Sequence, residues 1–445
     1  MPIQKATSLA EFHLAFRPEP LTDPGDIAQF YRDDLNGLRD ASWREKMAMR
    51  LRRAKGGMYF RGTVAGHEGV GKTTEMAVLL SEVQGDFKVV RVDAFIDLNP
   101  QQFRVSDVFL AIMLNLLEVS GQNFNAGLRR DLWNGIRDFF PEYQIDRDHT
   151  KGAEAGADVE VGLPFLVKLK ASIKTKSDEK QKQPLESQRM SSLLELLNRI
   201  LGVCKRESPG QDILIYADNF EKGEIPVAFL QEMFLTFGSL LRSLDAHLLC
   251  TLPPALIFSD GAGRLPFEPN EITILYDIPV LDQHHKPHLP GIEAIRTVVL
   301  ARADANLFES GQIDALIRAS GGSLKFLFSL IREAGLEAEI DGKSAVTQSA
   351  ATRAVNLSIA PFRNRLGAGP YDPRPVTWEQ KAAKLKEVYE GKAVAPDDTL
   401  YALLRSRAVL FVNGNGRYAV HPIVVDILRD AKILDPKCEG GVRPV

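Results

Sequence analysis

The sequence predicts an α/β protein: a parallel sheet flanked by helices, then a helical region, then a C-terminal unit of helices and a hairpin. Between Met58 and about Leu281, short apolar runs alternate with segments of helical spacing, as buried parallel strands covered by helices do. From about Pro287 apolar residues recur at helical spacing only. In the tail, two short apolar runs flank an Asn-Gly-rich turn, "AVLFVNGNGRYAV", a strong hairpin signal.

Length and composition allow this. The 445 residues suffice for two or three domains with their own cores, and 44% hydrophobic with 25% charged residues is globular composition. A net charge of −3 gives no overall attraction to nucleic acid or an acidic membrane. The three cysteines (Cys204, Cys250, Cys438) have no metal-type spacing and read as reduced thiols, and the eight histidines are scattered. No secretory leader pattern opens the sequence, and no uncharged apolar run approaches the ~20 residues of a membrane span. A cytoplasmic protein with no membrane partner is the expectation.

In chain order, residues 1–57 form a helical arm with the basic stretch "WREKMAMRLRRAK". Residues 58–286 form the α/β core, with strands in "MYFRGTVA", "FKVVRVDAF", "DILIYAD", "AHLLCTL" and "ITILYDI". Within "ADVEVGLPFLVKLKASIKTK" apolar residues keep a period of two, from Val159 to Ile173, which predicts a β-hairpin inserted at about 155–176. Residues 287–370 form a helical region, 371–435 the C-terminal unit, and 436–445 a tail. Two helices plus a hairpin make that unit a winged helix.

The chemistry is concentrated in residues 66–73. Gly66-His67-Glu68-Gly69-Val70-Gly71-Lys72-Thr73 satisfies G-x-x-x-x-G-K-[ST], with a strand before it and the helix "TTEMAVLLSEV", from Thr73 and Thr74 onward, after it. Gly66, Gly69 and Gly71 let the backbone curl so that N–H groups point inward at phosphate oxygens. Lys72 reaches the β and γ phosphates, and the Thr73 hydroxyl ligates magnesium. The helix N-terminus adds partial positive charge. "DILIYADNFEK" answers this loop: its strand ends in Asp218, placed to hold magnesium through water. The next residue is Asn219, which cannot accept a proton, so the nearest candidate base is Glu221. The alternative for Glu221 is a surface residue at a helix start, and a slow hydrolase would follow from it.

These motifs and their order resemble the AAA+ and STAND ATPases, in particular bacterial members and the archaeal origin-recognition type. "GHEGVGKTTEMAVLL", "LIYADNFEK", "LLCTLPPALIF", "ASGGSLKFL" and "GRYAVHPIVVDIL" carry the likeness. It implies a P-loop AAA+ core with helical lid and winged helix, binding ATP or ADP with magnesium. It also implies roles for single residues. Thr251 matches the sensor that reads the γ-phosphate or the attacking water. Lys325 stands where the family has a lid arginine, keeping the charge but losing the bidentate fork. His421 falls where STAND switches set a histidine against the β-phosphate of ADP. Arg264 and Arg302 are the candidates for an arginine donated to a neighbouring subunit, and Phe12 and Phe16 for the adenine platform.

The likeness leads to a nucleotide switch, a homo-oligomer whose state controls assembly with a partner, in bacterial defence. "DPKCEGGVRPV" leaves no room for an effector domain, so the effector is expected to be a separately encoded protein. The second expectation is a DNA-binding loader or remodelling ATPase, whose basic helix 44–55, hairpin lysines and winged helix would contact phosphates. A third is a pseudo-ATPase whose bound nucleotide is structural.

Overall fold

In the computed structural model, residues 3–39, 42–54, 58–120, 134, 139, 187–259, 261–367, 375–412 and 417–443 are described. The expected hairpin at 155–176 lies outside them.

Five strands, β1 (Arg61–Ala65), β2 (Phe87–Asp93), β3 (Asp212–Asp218), β4 (His247–Leu252) and β5 (Ile272–Ile274), form one parallel sheet in the order β2-β3-β4-β1-β5. Alternate side chains of β3 divide between its faces, as the period of two requires. Leu214 and Tyr216 pack with Trp43, Met47, Leu51, Met76 and Leu79, from helices α2 (Trp43–Arg53) and α3 (Lys72–Val83). Ile213, Ile215 and Ala217 pack with Phe109, Met113, Leu197 and Leu201, from α4 (Val105–Ser120) and α5 (Ser187–Glu207). The arm therefore divides. Its last helix, α2, belongs to the sheet's core, while the first part, including α1 (Pro24–Phe30), lies against the helical region.

Two strands stop earlier than their apolar runs. β2 ends at Asp93 because the Asp93 carboxylate accepts from the N–H groups of Phe95 and Ile96, turning the chain. β5 ends at Ile274 and the chain changes partner: Asp277 bridges to Val412 of the C-terminal unit, and its N–H donates to Phe411 O at 2.9 Å.

The helical region, which covers the site as a lid, comprises α6 (Leu289–Arg302), α7 (Gln312–Ala319), α8 (Leu324–Ile340) and α9 (Gln348–Arg365). Ala334, Ala338, Ala350, Ala351 and Ala354 let α8 and α9 approach closely. Between α7 and α8, Gly322 has φ +85°, and a Cβ there would fall 2.0 Å from Ile278 O. That close approach seats the lid on the segment just past β5.

The C-terminal unit runs α10 (Trp378–Tyr389), α11 (Asp398–Arg405), β6 (Val409–Val412), β7 (Arg417–Val420) and α12 (Pro422–Asp430). β6 and β7 pair antiparallel, Val409 opposite Val420. The two-helices-then-hairpin order agrees with the sequence. The backbone N–H groups of Val442 and Arg443, the last described residues, donate to Asp426 Oδ2 on α12.

Candidate functional site

The 66–73 loop joins β1 to α3. Gly69 and Gly71 take φ of +79° and +101°, where an L side chain is strained. A Cβ on Gly69 would also lie 2.8 Å from the Lys325 Cβ.

The loop's carbonyls are tied back by cationic side chains. Lys72 Nζ donates to Gly66 O and His67 O, both at 2.8 Å. Arg407 Nη1 donates to Glu68 O, and Arg39 Nη2 to Val70 O at 2.7 Å. With the acceptors turned outward, the N–H groups of the first turn of α3, which have no carbonyl within their own helix, make the loop an anion receptor.

A cavity of about 330 Å³ lies on this loop. Glu68 to Glu75 line it, with Arg91, Asp93, Asn219, Glu221 and Lys222 from the ends of β2 and β3. Lys325 from the lid also lines it. Its apolar part is formed by Leu21, Phe30, Leu35, Val298 and Phe328. The cavity fits a nucleoside triphosphate by its composition: an anion-binding loop and an apolar wall in one space.

Glu221 is brought inward. Its side chain is 5% exposed, and Oε1 lies 3.1 Å from Lys72 Nζ. Its Oε2 is buried with no hydrogen-bond partner. A surface position is therefore ruled out for it. Asp218 is fully buried: Oδ1 accepts from Asn219 N–H at 2.8 Å and from Thr251 Oγ1 at 3.4 Å, and Oδ2 from Arg91 Nη2 at 2.7 Å. Burial and then the nearby Glu221 charge raise its pKa, which Arg91 partly offsets. Among the described residues no cluster of three or more His, Cys, Asp or Glu side chains could cage a metal. Thr73 lines the cavity, whereas Asp218 and Thr251 do not; a magnesium ion would depend on the Thr73 hydroxyl and the nucleotide's own phosphates, with Asp218 reached only through water.

Several expected residues lie elsewhere. His67 faces away from the cavity, with Nδ1 2.5 Å from Asp277 Oδ2 and its Nε2 buried without a partner. Thr74 lines the cavity but its Oγ1 accepts from Leu21 N–H at 3.0 Å, holding the arm. Lys325 pairs with Glu68 at the rim. Phe12 and Phe16 are buried in the lid's core, beside Phe308 and Phe328, so they form no adenine platform; the segment after them, from Pro18 to Leu21, reaches the cavity. Arg302 is 3% exposed and donates to Ala15 O, so it cannot extend to a neighbour, whereas Arg264 is exposed. The basic helix is largely engaged within the chain: Arg44 pairs with Asp33, Glu75 and Glu82, and Arg52 with Asp86.

His421 does not line the cavity. It sits between lid and C-terminal unit, its ring 4.5 Å from that of Phe362. Pro422 is the first residue of α12, which makes His421 its cap: Nδ1 accepts from Ile423 N–H, and the other nitrogen faces Ser320 O at 3.3 Å. Burial, then the Arg407 charge, push its pKa down to about 3. The neutral fold binds no proton here between about pH 3 and 6.5, where the unfolded chain does, so stability falls as pH drops through that window. The expected slope from this residue is about 1.4 kcal/mol per pH unit. Urea unfolding across pH should lose that slope in His421→Gln, and an unchanged slope would contradict the assignment.

The acid that ties the loop to the C-terminal unit was not expected. Asp277, 1% exposed, receives His67 on Oδ2, Arg407 Nη2 on Oδ1 at 3.2 Å, and Phe411 N–H on Oδ2 at 3.1 Å. Burial works to raise its pKa, but His67, Arg407 and the Phe411 N–H together bring it down to about 2. Arg407 has φ +61° and also donates to Ser323 Oγ at 2.9 Å. One buried carboxylate thus joins the phosphate loop to β6 and, through Arg407, to the lid. The available signal was an acid inside an otherwise apolar run, "ITILYDI".

No family model matches the chain, and comparison with curated proteins gives no match. Among solved structures the chain is similar to Cdc6p from Pyrobaculum aerophilum, at 12% identity and TM-score 0.39, covering 96% of this chain and 99% of that one. It is similar to the Walker-type ATPase of Pyrococcus abyssi, at 13% identity and TM-score 0.42, covering 93% and 99%. The RuvB Holliday junction branch migration motor of Thermotoga maritima aligns at 11% identity and TM-score 0.34, covering 93% and 98%. The sheet order, the glycine-rich loop at the β1–α3 junction and the helices over it define an α/β core with a P-loop.

Proposed function

We propose that this chain binds ATP with magnesium, hydrolyses it slowly, and uses the nucleotide state to set how the C-terminal unit, read as a winged helix, sits on the core. The observation that carries this reading is the double hold on the loop: Lys72 and Arg407 both bond its carbonyls, and Arg407 belongs to the C-terminal unit. Any change of the loop on binding is felt directly by that unit.

Lys72 Nζ has three donors, directed at Gly66 O, His67 O and Glu221. Glu221 serves as the lysine's anion. When Lys72 turns to phosphate, Glu221 is released, and its buried carboxylate is then available to take a proton from water. Magnesium beside Thr73 and Asp218 would supply charge to the phosphates. Glu221→Gln is expected to leave ATP affinity intact, since the amide does not compete for Lys72, and to slow turnover by 10²-fold or more, on the order of a lost general base. An unchanged rate would move the base elsewhere.

The switch reading extends to a STAND-like homo-oligomer that assembles with a separately encoded effector in bacterial anti-phage defence. The DNA-loader alternative has less support, because Arg44 and Arg52 are spent on pairs within the chain and Lys381 on α10 is buried against Gly367 O. The deciding experiment is to denature the purified protein and identify what it releases. Stoichiometric ADP supports a loaded switch; an empty site with steady turnover supports a cycling ATPase and the DNA reading.

A further inference from the structure

Glu221 sits in the loop between β3 and the short helix Val227–Gln231, so whatever fixes that loop also fixes its carboxylate. On the β3 side the anchor is the core. Phe220 is fully buried, and Asn219, at φ +66°, donates through Nδ2 to Asp93 Oδ2 at 2.7 Å. Past Glu221 the loop's own backbone bonds are long: Lys222 N–H to Asn219 O at 3.5 Å and Ile225 N–H to Lys222 O at 3.2 Å. There the hold comes from the C-terminal unit. Arg405, the last residue of α11, donates through Nη2 to Gly223 O and to Ile225 O, the second at 2.8 Å. That nitrogen carries two protons, and the two carbonyls take both.

Two residues on, Arg407 donates to Glu68 O in the phosphate loop. The corner between α11 and β6 therefore grips both halves of the site, and the Lys72–Glu221 pair lies between its two grips. We infer that Arg405 is a positioning residue for hydrolysis: by holding Gly223 and Ile225 it sets where the Glu221 carboxylate stands against the phosphate loop, resting on the reading of Glu221 as the base. Through it the C-terminal unit controls the chemical step as well as binding. A unit that shifts on the core withdraws Arg405, and Glu221 is misplaced while the nucleotide stays bound. An error of about 1 Å in the place of a reacting group costs up to about 10²-fold in rate.

Single-turnover hydrolysis with magnesium and equilibrium ATP affinity, measured on the full chain, test this. Arg405→Ala should hydrolyse ATP about tenfold more slowly with its affinity unchanged. Arg405→Lys, whose one ammonium can donate to both carbonyls, should recover most of the rate. Tyr401, one turn earlier on α11, grips the core elsewhere, its OH donating to Phe258 O at 2.7 Å. Tyr401→Phe loosens the same helix away from Glu221 and should hydrolyse at the wild-type rate. In the Glu221→Gln background, Arg405→Ala should slow nothing further, because the group that it positions is already gone. The inference is overturned if Arg405→Ala keeps the wild-type rate, if it slows Glu221→Gln by the factor by which it slows the wild type, if its ATP affinity falls as far as its rate, or if Tyr401→Phe is equally slow. Should the alanine variant fail to fold, Arg405→Gln, too short to reach both carbonyls, takes its place in each comparison. Glu221→Gln hydrolysing at the wild-type rate would instead overturn the base assignment underneath, and the role of Arg405 with it.

Discussion

Lys72→Ala is expected to abolish measurable ATP binding in a calorimetric titration. The lysine is 3% exposed, and with it the loop loses the one buried ammonium that can meet phosphate charge. The same change should destabilise the protein. Glu221, already carrying an unpartnered Oε2, would keep a buried carboxylate without its cation, which costs about 3 kcal/mol. The two effects separate in the double variant Lys72→Ala/Glu221→Gln. Urea unfolding should show most of the lost stability restored, while titration should still show no binding. Normal affinity in the single variant would sink the site assignment.

Asp277→Ala should be the most damaging change outside the loop, lowering unfolding free energy by about 3–5 kcal/mol, the range for breaking a buried ion pair from one side. It strands Arg407, removes the partner of His67, and leaves the Phe411 N–H without its side-chain acceptor. Arg407→Ala removes one of these contacts and should cost less. Because Asp277 titrates at about 2 in the fold against 3.8 ordinarily, its contribution is present above pH 3.8 and is lost as pH falls from 3.8 towards 2. Urea unfolding at pH 7 and across that acid window measures both. A loss below about 1 kcal/mol at pH 7 would mean that the junction is not held by this carboxylate.

The two results concern contacts of different legibility. The loop is a contiguous motif whose function depends on local backbone, so Gly69, Gly71 and Lys72 were readable as they stand. Asp218 was readable because a strand that ends in an acid is also a local pattern. Asp277 meets His67 across 210 residues and Arg407 across 130, and no local pattern encodes such pairs. Asp93 and Arg91, which bond Asn219 and Asp218, were hidden for the same reason: the neighbour of β3 is set by sheet order. Phe12 and Phe16 were misplaced because two aromatics four residues apart suit a buried helix face as well as a base platform. His421 was misplaced because a histidine before a proline satisfies both a family motif and a helix cap, and only the fold shows which side it faces.

Nucleotide on the loop and the C-terminal unit on Asp277 should be energetically coupled. Hydrogen exchange at the Phe411 amide, which donates to Asp277, reads that junction directly. It should be measured with no nucleotide, with ADP, and with ATP held by the Glu221→Gln variant. Protection at Phe411 should differ between the ADP-bound and ATP-bound states. Tight binding of both nucleotides with the same exchange at Phe411 would contradict it.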